Sequence, residues 1–232
     1  MNHTTPRPLV LTVAALALLG GATLAPMSPA HAAGPDVLRQ LSQAIAAHSF
    51  KVVIDSRSTG ANAARASLGH LHMEETLLRH GTTFRLYIYS RTVQGVNEMV
   101  YTGAHACVRQ SGQRAWNCAM PTGVIATYRD AMDPAKAMKA AGAYIQDVGP
   151  AGTRMVRGHL SKGYRFTTTM VALHTTGHGT VWIDRVTTLP VEVDTTSAST
   201  MTGARTPLVT TGTEVWSRWD DSTLTIPAVP VS

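Results

Sequence analysis

The sequence predicts a mainly β protein of α+β type: a curved antiparallel sheet forming an incomplete barrel, with helices covering its concave face. Three observations predict it. First, Gly179 to Val193, GTVWIDRVTTLPVEV, holds two short runs rich in β-branched and aromatic residues, Thr180–Val186 and Leu189–Val193. Pro190 restricts how the second run begins, and the whole reads as a strand, a tight connection and a returning strand. Alternation puts Trp182, Asp184 and Val186 on one face and Val181, Ile183 and Arg185 on the other. Second, the same period-two pattern recurs along most of the chain. Third, two segments break it with helical spacing, one at the start of the domain and one inside it.

Before the domain comes an expected address. Arg7, the apolar Leu9–Leu19 and the small-x-small Ala30-His31-Ala32 have the layout of a secretory signal peptide, cleaved after Ala32. Residues 1–32 are thus read as the leader and 33–232 as a single domain, large enough to bury a sizeable core. No later apolar run is long enough to span a bilayer, so an integral membrane protein is not expected. The mature chain is expected outside the cytoplasm, periplasmic or extracellular.

Pro35–His48 reads as an amphipathic helix with Leu38, Leu41 and Ile45 on one stripe. A first strand follows, with Phe50, Val52 and Ile54 on one side, and Ser56–Ala64 reads as a loop or frayed hairpin. In Ser67–Leu78, Leu71 and Met73 face one way while His70, His72 and Glu74 face the other. Thr82–Ser90 is the strongest strand signal, with Phe84, Leu86 and Ile88 opposite Arg85, Tyr87 and Tyr89. Asn97–Tyr101 contributes Met99 to a further strand. Cys107 and Cys118 flank VRQSGQRAWN; in an exported protein this predicts a disulfide closing a hairpin that turns at Ser111-Gly112.

Asp133-Pro134 reads as the start of a second helix, with the carboxylate as cap. Met138, Ala141, Ile145 and Val148 form its stripe and Gly149-Pro150 its stop; Val124–Met132 before it is also compatible with a helix. Strands are expected at Met155–Leu160, Gly163–Leu173 and Leu208–Trp219, a polar loop at Thr195–Thr206, and an edge strand or tail at Thr223–Ser232.

At these residues the chain resembles the LolA/LppX–LprG-type family of exported lipoprotein carriers and lipid-binding lipoproteins. The similarity rests on Gly179-Thr180-Val181-Trp182-Ile183-Asp184-Arg185 followed by Leu189-Pro190-Val191. The helix-to-strand start, Ala115-Trp116-Asn117-Cys118, and Val156-Arg157-Gly158 leading into Tyr164-Arg165-Phe166 add to it. The resemblance implies a half-barrel closed by helices whose cavity takes acyl chains of lipids or lipidated proteins. It also implies a second possibility, an envelope sensor that binds a membrane-anchored protein. No lipobox cysteine accompanies the leader, so a free carrier or sensor is implied rather than an anchored one. Arg57 is the nearest candidate for an arginine that latches the helical lid.

Sharper chemistry finds little support. The formal charge of +6, or +5 once Arg7 leaves with the leader, is spread over scattered arginines, unlike the basic patches that bind nucleic acid. His70, His72 and Glu74 share a strand face, and His174 and His178 could add metal ligands, but ten histidines make chance proximity easy. No serine sits in a G-x-S-x-G turn, and no glycine-rich loop opens a helix. Glu74-Glu75 and Asp220-Asp221 are sequence neighbours on strands and point to opposite faces. The expectation is a binding protein, not an enzyme, with no metal and no cofactor. The candidate ligand-facing wall is Leu71, Met73, Phe84, Leu86, Ile88 and Met99, with Met138 and Ile145 on the lid and Trp182 on the hairpin.

Overall fold

A computed structural model describes residues 34–60, 69–118, 133, 136, 144–170, 174–200 and 206–230. The expected leader, Met138 and the segment Val124–Met132 therefore lie outside the described residues. Helix α1 spans Gly34–Ala47, and Pro35 in its first turn suits a position whose N–H would go unused. Ten strands follow: β1 (Phe50–Thr59), β2 (His70–His80), β3 (Thr83–Thr92), β4 (Gly95–Tyr101), β5 (Ala106–Gln110), β6 (Ile145–Val156), β7 (His159–Met170), β8 (Thr175–Asp184), β9 (Pro190–Ser199) and β10 (Leu208–Ser217).

All ten form one antiparallel sheet in the order β5-β4-β3-β2-β1-β10-β9-β8-β7-β6. Two meanders, β1–β5 and β6–β10, are joined where β1 pairs with β10, Val52 standing opposite Trp216 and Ile54 opposite Glu214. β5 and β6 remain as edges, so the sheet is an incomplete barrel rather than a closed one. Period-two burial is clearest in β3, where Phe84, Leu86, Ile88 and Ser90 are buried in turn. Val37, Leu41 and Ile45 of α1 join Phe50, Val52, Ile54, Leu77, Leu86, Ile88 and Trp216 in one core on the inner face. The Cys107–Cys118 disulfide closes the β5 hairpin, whose return is held by the Val108–Asn117 bridge.

Four expectations are overturned. β1 continues through Ser56 to Thr59, paired with β10, where a loop or frayed hairpin was expected from Ser56. Ile145–Val156 is a strand, not the end of a helix. Its register shifts between Gln146 and Gly149, and Asp147 has φ 51°, so a bulge inserts residues at this point. The bulge sets Ile145 and Val148 three apart on the same cavity, which imitates helical spacing in the sequence. Pro150 is tolerated because β6 is an edge strand with no ladder partner on one side. Met155–Leu160 is a hairpin rather than one strand. Val156 pairs with His159 across Arg157-Gly158, both at positive φ as a two-residue turn requires. Finally, β9 continues to Ser199 where a polar loop was expected. Its threonines and serines are paired on both sides, by β8 and by β10, which satisfies the backbone without apolar side chains. Residues 220–230 form no strand and run as a tail.

Candidate functional site

Between α1 and the inner face of β6–β10 lies a cavity of about 80 Å³. Val37, Leu38, Leu41 and Ile45 form its helical wall; Leu38, Leu41 and Ile45 are the stripe expected from their spacing, and Val37 joins them. Phe166, Val181, Val193 and Trp216 face them from the sheet, with Ile145 and Val148 at the bulged edge. Hydroxyl side chains, Thr168, Thr175, Thr195 and Ser197, complete the lining. Gly179 is required here: a Cβ would come within 2.5 Å of both Phe166 Cζ and the Asp194 carbonyl oxygen.

One carboxyl interrupts the apolar wall, and a second is buried across β1 from it. Glu214 on β10 borders the cavity and is 5% exposed. Glu75 on β2 is 3% exposed, and its Oε1 has no hydrogen-bond partner among the described residues. They stand on either side of β1, Glu214 opposite Ile54 and Glu75 opposite Val52. Burial pushes Glu214 up to about 8, and the charge of Glu75 adds to that; burial alone raises Glu75 to about 7. The Trp216 indole lies close enough to favour the Glu214 anion, yet its Nε1 is buried without a well-aligned acceptor. Sequence reasoning missed this pair because Glu75 was weighed against its neighbour Glu74, which does point away. A signal was present: Glu75 occupies the inner position in the alternation Leu71, Met73, Glu75, Leu77.

Polar contacts tie down the C-terminal end of α1. His48 Nδ1 meets Asp220 Oδ2 at 2.5 Å, and Ser49 N donates to Asp220 Oδ1 at 2.9 Å. These contacts outweigh the cost of burial and hold the Asp220 carboxyl below the usual range. Arg79, not Arg57, approaches the helix. Arg57 is exposed on the outer face, whereas Arg79 is buried, stacks over Phe84 at 5.2 Å and lies 3.8 Å from Asp133. Asp133 Oδ1 also accepts from Lys136 N at 3.4 Å, the capping contact expected of it.

The candidate wall residues divide. Ile145 borders the cavity, though from a strand. Met73, Phe84, Leu86, Ile88 and Met99 are buried in the β1–β4 half of the core, with Leu71 packed against it, beside the cavity rather than on it. Trp182 belongs to a separate cluster with Val156 and Val191 on the outer face. It covers Gly163, where a Cβ would come 2.5 Å from Cζ3, and Arg154 stacks on it at 4.0 Å. The His70/His72/Glu74 face is an ion-pair ladder. His72 bonds Asp55 at 2.8 Å and Glu74 at 3.3 Å, and Lys51 meets Glu74 at 2.5 Å. Among the described residues no group of three or more His, Cys, Asp or Glu is arranged to hold a metal, and no helix is long and apolar enough to cross a membrane.

No protein-family model matches the sequence, and no curated protein matches it. Solved structures do. LprF from Mycobacterium bovis superposes with a TM-score of 0.50 at 14% identity, covering 87% of this chain and 99% of that one. The lipoprotein LppX of Mycobacterium tuberculosis gives 0.48 at 13% identity over 82% and 98%. With its open ten-stranded sheet and covering helix, this chain shares the fold of LprF.

Proposed function

We propose that this chain is an exported binding protein that holds a lipid or a lipidated protein between α1 and the sheet, for transport or sensing across the cell envelope. The observation that carries the reading is the cavity itself, walled by the apolar stripe of α1 and backed by Phe166, Val181, Val193 and Trp216. A stripe spent only on core packing would leave no such space under the helix. At about 80 Å³ the cavity is smaller than the roughly 300 Å³ typical of ligand sites. Entry of an acyl chain therefore requires α1 to move, and its tied C-terminal end provides the pivot. The leader-like N-terminus and the disulfide support export. Neither the cavity nor the carboxyl pair displays a nucleophile with its base, which favours binding over catalysis.

The test is native mass spectrometry of protein exported by its own host, followed by solvent extraction and lipid analysis. A stoichiometric lipid, lost in Leu38→Glu and Val193→Trp, is expected. A clean apo mass with no uptake of added lipid would overturn the carrier reading and favour a sensor that binds a membrane-anchored protein.

A further inference from the structure

The carboxyl pair is costly for a chamber meant only for hydrocarbon. An acyl tail offers no hydrogen-bond donor, so it would leave the Glu75 Oε1 unpaired and the buried Glu214 carboxyl in an apolar surround. Charged groups facing the pair from the packed elements do not resolve this. β1 presents Val52 and Ile54, β9 presents Val193, and α1 presents Leu41 and Ile45. Lys51, the basic residue beside Val52, is engaged with Glu74 on the outer face. His178 borders the same cavity from β8. Trp216 Nε1, buried and bordering the cavity, is a second polar atom without a partner among the described residues.

We infer that Glu214, backed by Glu75, is the specificity-determining post of the cavity and takes the protonated nitrogen of an amine-bearing amphiphile. The inference rests on the proposed binding role of the cavity and names its ligand class. An ammonium donates to more than one carboxylate oxygen at once and relieves the repulsion between the two acids. Once Glu214 is held as the anion, it becomes a fitting acceptor for the Trp216 N–H beside it. An anionic headgroup would be repelled at the same point. The overall charge of +6 acts in the opposite sense, since it attracts anions generally. A preference for a cation must therefore arise locally.

The experiment compares dodecylamine, dodecanol and dodecanoate, each below its micellar concentration, by calorimetric titration of the full mature chain at about pH 7.5, where the amine is protonated. Dodecylamine is expected to bind about ten-fold more tightly than dodecanol, with dodecanoate weaker than both. In Glu214→Gln the advantage of the amine should fall below about three-fold, with an unchanged circular dichroism spectrum reporting that the variant is folded. Glu75→Gln is the second variant and should lose part of the same preference. Dodecanol binding without any preference for the amine, or a preference that survives both variants, overturns the inference and leaves the cavity reading standing. Failure of all three probes to bind overturns both.

Discussion

Arg79 Nη2 donates to the carbonyl of Ile45, 3.2 Å away in the last turn of α1. A buried guanidinium of β2 thus satisfies a helix carbonyl that has no intrahelical partner, at the end of the element that covers the cavity. The backbone N–H of the same residue donates to Ser49 Oγ at 2.9 Å, so β2 and the α1–β1 connection are joined twice.

Replacing Arg79 by Ala should cost about 2–4 kcal/mol, because a charge-assisted bond and the stacking on Phe84 are both lost. Urea unfolding measures the loss. Hydrogen exchange should show the amides of α1 opening more readily than those of β3, and equal change in both would refute a local tie.

The acid pair makes stability depend on pH in an unusual sense. Both folded-state values lie above the ordinary carboxyl value of 4.5, about 7 for Glu75 and about 8 for Glu214. Between 4.5 and 8 the folded chain holds more protons than the unfolded one, so stability falls as pH rises through this window. The contribution is fully favourable below 4.5, and the loss is complete above about 8. Urea midpoints from acid to mildly alkaline pH should decline in wild type and flatten in Glu75→Gln/Glu214→Gln. A flat wild-type profile would contradict the burial of the pair.

Reduction of Cys107–Cys118, or replacement of both by Ser, should lower stability by about 3 kcal/mol for a loop of this length. Thermal unfolding with and without reductant reads it directly. The cavity lies at the other half of the sheet, so ligand uptake at low temperature should persist.

Gly179→Ala should be harmful beyond its size. The new Cβ meets the backbone carbonyl of Asp194 as well as Phe166, and backbone cannot swing aside. A cost of about 1–3 kcal/mol is expected, with Phe166 displaced towards the cavity. Gly81→Ala is the control for added volume, since nothing lies within 4 Å of its Cβ, although its φ of +60° carries backbone strain of its own. The collision at Gly179 is supported only if Gly179→Ala costs more than this control.

The linear sequence was enough to establish the local alternation. Phe84, Leu86 and Ile88 face the core because period two allows no other arrangement beside Arg85, Tyr87 and Tyr89, and Leu41 and Ile45 share a helical stripe for the same kind of reason. The cysteine hairpin and the antiparallel order were legible too, since both depend on short-range spacing and turn residues. What depends on distant strands was not. Ile145 and Val148 carried a helical spacing that a bulge at Asp147 explains, and a bulge is visible only against its partner strand. Trp182 faces outward because Arg154 and Gly163 of the neighbouring hairpin receive it there. Glu75 and Glu214, 139 positions apart by their numbers, become neighbours only when β10 pairs with β1 and joins the two meanders. Burial and charge repulsion between them are properties of that junction. Tertiary structure alone decided where the cavity lies and that Glu214 borders it with Glu75 across β1, because the closeness of non-sequential strands is not encoded in any one strand's pattern.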